Sequence, residues 1–310
     1  MKLLLSLTCL FLTGVGASLA AQDVQLPKSD RLGVEYVYKE VDNRKLKLYV
    51  LTPPKGKATD HRPAIVWFHG GSWVKGGPNA FNVQSQYLAG RGMVCIQVEY
   101  RLLPREAREA PIICVEDARS AMRWVRSHAA ELGIDPDRIA AGGGSAGGHL
   151  AAACALIEGF DDPQDKADVS PKPAALVLFC PVIDTGSKTT WGRNTFKEHA
   201  DELSPAGHVN PKAPPTLLMI GTADRLIPVK TIEAFAEKMK AAGVRCEIRL
   251  YQGQPHGFFN PKKGTSNPFT YETLLEVDKF LNSLGWLPGP PTLKETDIDQ
   301  ATTAPTDPEN

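Results

Sequence analysis

The sequence lacks the patterns that mark several large classes of protein. No Cys-x-x-Cys and no His-Glu-x-x-His spacing occurs in its 310 residues, so the common zinc-site signatures are absent. Of its six cysteines, Cys9 falls in an N-terminal apolar stretch. The others, Cys95, Cys114, Cys154, Cys180 and Cys246, are odd in number and irregular in spacing. That is not a disulfide framework, and it leaves room for at most one incidental bridge. Most lie in apolar runs, where cysteine behaves as a small buried hydrophobe. None sits on a glycine-rich turn beside a base, so none reads as a nucleophile. Charge of one sign is also missing: 35 basic residues balance 35 acidic ones. This speaks against nucleic acid or an anionic membrane as partner and for a neutral or mixed one. There is no internal repeat and no break in composition.

Long apolar runs are scarce as well. One, Leu3 to Val15, follows Lys2 and precedes Ser18-Leu19-Ala20. A charged start, a short apolar centre and a small-residue site predict a secretory signal over residues 1–20, and hence a secreted or periplasmic protein. The run is short for a bilayer span, so an uncleaved anchor is the second reading and no span is expected after cleavage. Removing residues 1–20 takes away Lys2 and no acid, leaving 34 basic against 35 acidic residues.

What the chain does contain is an alternation of strand and helix patterns. After a polar lead-in, Val34–Val41 and Leu46–Leu51 read as a hairpin at a sheet edge. Ala64–Phe68, Met93–Val98, Ile139–Ala141, Ala174–Phe179 and Thr216–Ile220 are short apolar runs of the kind buried on both faces. Cys246–Tyr251 reads as the last strand. Helices are expected over Val115–Leu132, capped by Gly133, and over Ala146–Ala155, Val229–Ala242 and Phe269–Leu284. The order predicts one α/β domain over 21–287, with a mostly parallel, doubly wound sheet and helices on both faces. Residues 184–215 show little periodicity and read as a lid-like insertion. Residues 288–310, rich in Pro, Thr and Asp, read as a disordered tail.

Gly143-Gly144-Ser145-Ala146-Gly147 fits G-x-S-x-G between a strand and a helix, the pattern of a nucleophile elbow. The competing reading is a dinucleotide fingerprint, since Gly142, Gly144 and Gly147 also satisfy G-x-G-x-x-G. Its acid should then close the next strand. Asp165 and Asp168 instead lie in a loop before that strand begins. A serine needs a base to take its proton, and the base needs a third group to fix its tautomer. In the elbow's chain order the acid and then the histidine follow the serine. His61, His69 and His128 precede it. His149 shares the elbow helix and reads as a packing residue, while His199 and His208 fall in the insertion. His256 follows the last strand beside Gly257 and is the expected base. Asp224 follows a strand directly and is the expected acid, with Asp184 as fallback. Gly70, Gly71 and Ala146 are the expected oxyanion donors, and Trp73 and Tyr100 the candidate pocket residues.

His69-Gly70-Gly71, Tyr100-Arg101-Leu102, Asp135-Pro136-Asp137-Arg138-Ile139, Gly142 to Gly148, Gly221-Thr222-Ala223-Asp224 and His256-Gly257-Phe258 run in order over about residues 33–285. Together they resemble the hormone-sensitive-lipase-like esterases of the α/β-hydrolase superfamily. The resemblance implies the α/β-hydrolase fold, with Ser145 as nucleophile, His256 as base, Asp224 as orienting acid, and Gly70, Gly71 and Ala146 as oxyanion donors. It implies no cofactor and no metal. Two stretches depart from the pattern. The oxyanion loop reads His-Gly-Gly-Ser-Trp, and Arg225-Leu226-Ile227-Pro228 is closer to secreted carbohydrate acyl esterases of the acetylxylan and feruloyl type. The expected activity is therefore hydrolysis of a small-molecule or carbohydrate ester, with short acyl chains. A serine peptidase of the prolyl-oligopeptidase kind is the second reading, although the chain has no room for the large extra domain such enzymes carry. A non-catalytic binding protein on the same fold is the third.

Overall fold

The structure is a computed structural model that describes residues 32–107, 109–261 and 267–298. The expected signal over 1–20 and the chain beyond Ile298 lie outside the described residues. Eight strands form one sheet: β1 (Val34–Val41), β2 (Arg44–Leu51), β3 (Arg62–Phe68), β4 (Val94–Val98), β5 (Ile134–Gly144), β6 (Ala175–Phe179), β7 (Thr216–Gly221) and β8 (Cys246–Tyr251). Five α-helices interleave with them: α1 (Asn82–Gly90), α2 (Ile112–Ser127), α3 (Ala146–Leu156), α4 (Val229–Ala241) and α5 (Pro268–Ser283).

The strands lie in the order β1-β2-β4-β3-β5-β6-β7-β8. β1 and β2 pair antiparallel, as do β2 and β4, and every later pairing is parallel. The expected α/β-hydrolase architecture is therefore present, including the edge hairpin. From β3 the chain steps to β4 on one side and returns to β5 on the other. The switch in winding thus falls between β3 and β5, where the carboxyl ends of an open α/β sheet leave a crevice. In register, Phe68 of β3 faces Gly143 of β5, so the loop after β3 and the elbow after β5 emerge side by side.

The apolar runs behave as their composition dictates. β4, β6 and β7 are buried along their whole length and β3 along all but its first residue, covered by helices on both faces. α3 is buried at every position, which its Ala and Gly content permits by letting it lie close on the sheet.

Three expectations are corrected. The long helix starts at Ile112, just after Pro111, and ends at Ser127 rather than Leu132. Beyond it the His128 ring stacks on Trp124, and a tight turn with Gly133 at φ +68° leads into β5. α1 was absent from the sequence reading. Residues 288–298, expected to be disordered, are packed: Leu293 and Ile298 are buried, and the N–H groups of Thr292 and Leu293 donate to the Tyr87 hydroxyl at 3.2 Å. The 184–215 insertion is anchored through Phe196 and Leu203, both fully buried, and through the Ala206 N–H, which donates to the Ile183 carbonyl at 2.9 Å.

Candidate active site

The elbow is built by close approach. A Cβ placed on Gly147 would lie 2.0 Å from the Phe68 carbonyl oxygen, so only glycine lets α3 start this near β3. Ser145 is forced into φ 54°, ψ −117°, a region that non-glycine residues avoid. Its neighbours hold it there. The Ser145 N–H donates to Phe179 at 2.9 Å, and its carbonyl accepts from His149 at 3.1 Å and Val182 at 3.2 Å. As the residue preceding α3, it sits at the positive end of the helix dipole.

The loop after β3 lies against it. A Cβ on Gly70 would come within 3.4 Å of the Ser145 Cβ and 2.9 Å of the Gly144 carbonyl oxygen. Gly71 has φ +116°, and a Cβ there would strike the Lys75 carbonyl oxygen at 2.1 Å. Its own carbonyl accepts from Val74 at 3.1 Å and Lys75 at 3.2 Å, curling the loop. Neither the Gly71 nor the Ala146 N–H donates to another group among the described residues. Their freedom is the condition an oxyanion donor must meet.

Tyr100 and Trp73 are placed differently from expectation. Tyr100 is fully buried, stacks on His69 at 4.2 Å and donates to the His69 carbonyl at 2.7 Å. Burial holds the His69 imidazole below its usual pKa, so the neutral ring donates through Nδ1 to the Gly70 carbonyl at 2.8 Å. Tyr100 thus props the loop after β3 from inside the core. Trp73 is also fully buried, edge-on to His149, Trp191 and Phe196, and forms a wall behind Trp191.

Asp224 and His256 are brought together. His256, half-buried after β8, places Nδ1 at 2.7 Å from Asp224 Oδ2. Asp224 Oδ1 accepts from the N–H groups of Leu226 and Ile227, both at 2.9 Å. Burial pushes this carboxyl's pKa up, but the bonds from His256, Ile227 and Leu226 outweigh it and hold the group below its usual value. The fallback acid, Asp184, accepts instead from Gly186 and Ser204. His149 is the packing residue expected: its Nε2 lies 2.8 Å from the Leu203 carbonyl, while Nδ1 has no partner and the ring is wholly buried. His199 and His208 bond within the insertion, to Glu202 and the Asp201 carbonyl.

Two residues escaped the sequence reading. Cys180, at the carboxyl end of β6 with φ 44°, brings its thiol within 4.8 Å of the Asp224 and His256 ligand atoms. Burial pushes that thiol up to about 12, so it stays protonated and is no nucleophile. Its signal was there: it follows a buried strand, as Ser145 and Asp224 do. Asn267 donates to the carbonyls of Phe258 at 2.7 Å and Asn260 at 2.8 Å, and so fixes the turn that carries His256. Beside the dyad opens a cleft of about 630 Å³, lined among others by Val182, Trp191, Leu226 and Ile227.

A glycine-rich elbow, an adjoining curled loop and an acid–imidazole pair at the carboxyl end of this mostly parallel sheet are the arrangement of an α/β-hydrolase. Comparison with known proteins narrows the class. The family model of BD-FAE matches residues 48–239, and that of the dienelactone hydrolase family matches residues 202–287. The chain is 29% identical to Esterase LipC of Mycobacterium tuberculosis, over 66% of this chain and 55% of LipC. It is 32% identical to Carboxylesterase NlhH of Mycobacterium tuberculosis, over 65% of this chain and 68% of NlhH. Among solved structures, Thermogutta terrifontis esterase 2 phosphonylated by cyclosarin superposes with a TM-score of 0.78 at 42% identity, covering 83% of this chain and 96% of that one. The chain belongs to the BD-FAE family. It spans about half to three-fifths of the length of several curated relatives, 55% of LipC for one.

Proposed function

We propose that this chain hydrolyses carboxylic esters, through an acyl-enzyme formed on Ser145. The observation that carries the reading is the 2.7 Å bond between Asp224 and His256 at the same carboxyl end of the sheet as the strained Ser145. With Nδ1–H given to Asp224, the imidazole presents Nε2 as the free base. Nε2 takes the Ser145 hydroxyl proton as Oγ attacks the ester carbonyl. The N–H groups of Ala146 and Gly71, with Gly70 beside them, receive the oxyanion, and the dipole of α3 adds to their field. His256 returns the proton to the departing alcohol. Water, deprotonated by the same nitrogen, then releases the acid.

Short acyl chains and acylated carbohydrates remain the expected substrates. Thermogutta terrifontis esterase 2, solved with propionate and with butyrate bound, supports the short chain. Its modification by paraoxon supports a nucleophile that attacks electrophilic phosphorus. The reading of residues 1–20 supports action outside the cytoplasm. The test is hydrolysis of p-nitrophenyl esters from acetate to decanoate. Activity is expected to peak at the shortest acyl groups and to fall at least about a thousandfold in Ser145→Ala. Rates unchanged in that variant would remove Ser145 from the mechanism. Rates rising toward decanoate would replace the short-acyl pocket with a lipase-like one.

A further inference from the structure

The cleft beside the dyad carries a charge that ester hydrolysis does not call for. Lys188, Arg193, Arg225 and Lys230 line it, against one carboxylate, Asp184. That carboxylate is already engaged by Gly186 and Ser204. None of the four cations makes an ion pair among the described residues, although Asp201 feels the charge of Lys188. Some cations elsewhere are neutralised: Arg245 and Arg249 meet Glu247 and Glu276, and Arg119 and Arg123 meet Asp161. The formal net charge of the whole chain is zero, so this positive potential is local. The start of α4, with Pro228, Lys230 and Thr231 on the cleft wall, adds the positive end of its dipole.

Residues of the cleft wall are bonded to Ser145 and Asp224 through their backbone. Val182, on its wall, donates its N–H to the Ser145 carbonyl at 3.2 Å. Leu226 and Ile227, on the facing wall, donate theirs to Asp224. Trp191 closes the wall between them, its indole N–H donating to the Leu226 carbonyl at 3.3 Å. The apolar part of the cleft and its exposed cations therefore lie next to the residues that hold Ser145 and Asp224 in place.

We propose that this cleft receives a carboxylate borne by the substrate, so that the preferred esters are anionic. The proposal rests on the esterase reading above and names the substrate class of that site. It is tested with two matched pairs of esters. 4-Acetoxybenzoate against 4-acetoxybenzamide places the charge on the alcohol part. The 4-nitrophenyl monoester of adipic acid against its terminal amide places it on the acyl part. In one pair at least, the acid-to-amide ratio of kcat/KM is expected to fall about five- to tenfold in the Arg193→Gln/Arg225→Gln double variant. The wild-type preference should also shrink as ionic strength rises past about 0.1 M. Calorimetric binding of 4-acetoxybenzoate and 4-acetoxybenzamide to Ser145→Ala gives a readout free of turnover. Hydrolysis of both pairs with ratios that the double variant leaves alone would overturn the proposal and leave the esterase reading standing. Absent hydrolysis, with the acid bound more tightly and that margin lost when both arginines are replaced, would uphold the cleft and remove the esterase. Absent hydrolysis with equal binding would overturn both.

Discussion

Asp224 and Asp278 both have side chains wholly shielded from solvent, and both are hydrogen-bonded from several sides. Their partners differ in kind. Asp278 receives Arg91 through Nε at 2.7 Å and a second guanidinium nitrogen at 3.2 Å, and it accepts from the Tyr87 hydroxyl. The guanidinium matches the carboxylate charge for charge, so the cluster is electrically complete. Tyr87 extends it by accepting from Thr292 and Leu293, and Arg91 by donating to the Gly289 carbonyl, which together tie down the C-terminal segment. Asp224 has no permanent cation among its hydrogen-bond partners. It faces an imidazole, and while that ring is neutral the pair carries one uncompensated negative charge. In the proposed mechanism the ring is the group through which a proton enters, and 22% of its side-chain surface stays exposed. A buried carboxylate matched to arginine holds the fold; one matched to histidine waits for a proton.

The largest effect that sharpens this contrast is on turnover. Asp224→Asn should lower kcat by about 10³- to 10⁴-fold, through loss of the imidazole's orientation and of the charge that stabilises imidazolium. The fold should survive, as a thermal melt close to wild type would show. A near-normal rate would move the acid elsewhere, with Asp184 next in line. Arg91→Ala should do the reverse. It leaves Asp278 buried without its cation and should cost about 3–5 kcal/mol in denaturant unfolding, while the kcat of the folded fraction stays close to wild type. An equal loss of turnover per folded molecule would break the distinction.

His149 gives a pH test. Burial, opposed only by its bond to Leu203, lowers the imidazole to about 4. The unfolded chain therefore binds a proton near pH 6.5 that the folded chain refuses until about pH 4. Stability from the neutral ring is complete above 6.5 and lost as pH falls toward 4, a change of about 3 kcal/mol. His149→Phe should flatten that part of the unfolding curve, and an unchanged slope would mean the ring is protonated where it lies. The smallest effect belongs to Tyr87→Phe. It removes one hydroxyl that serves Asp278 and the Thr292–Leu293 backbone, and should cost about 1–3 kcal/mol. Faster proteolytic trimming of the C-terminal segment should accompany it.

The two regions also differ in how far the sequence disclosed them. Ser145, Asp224 and His256 each follow a strand directly, among glycines or turn formers whose chemistry has few other uses, so position and residue type pointed to them together. The Tyr87 cluster had no such marks. Its helix, α1, buries Gln84, Ser85 and Gln86 beside Tyr87 and Leu88, and polar residues facing inward erase the periodicity that reveals a helix. Residues 289–298 have the composition of a loose tail, but they are held in part through the backbone N–H groups of Thr292 and Leu293, which any sequence supplies. Tyr100 and Trp73 were expected to line a pocket and are instead fully buried, because an aromatic beside a site turns inward or outward according to packing that no local pattern encodes. Cys180 was legible by position and was passed over because cysteine in an apolar run usually only fills space.

The account turns on Ser145 being the group that the Asp224–His256 pair activates. A phosphonate ester that reacts with activated serines, followed by mass spectrometry of the digested protein, tests this most directly. The prediction is one adduct, on Ser145, forming far more slowly in Asp224→Asn and not at all in Ser145→Ala. An adduct appearing at the wild-type rate in Ser145→Ala would contradict it.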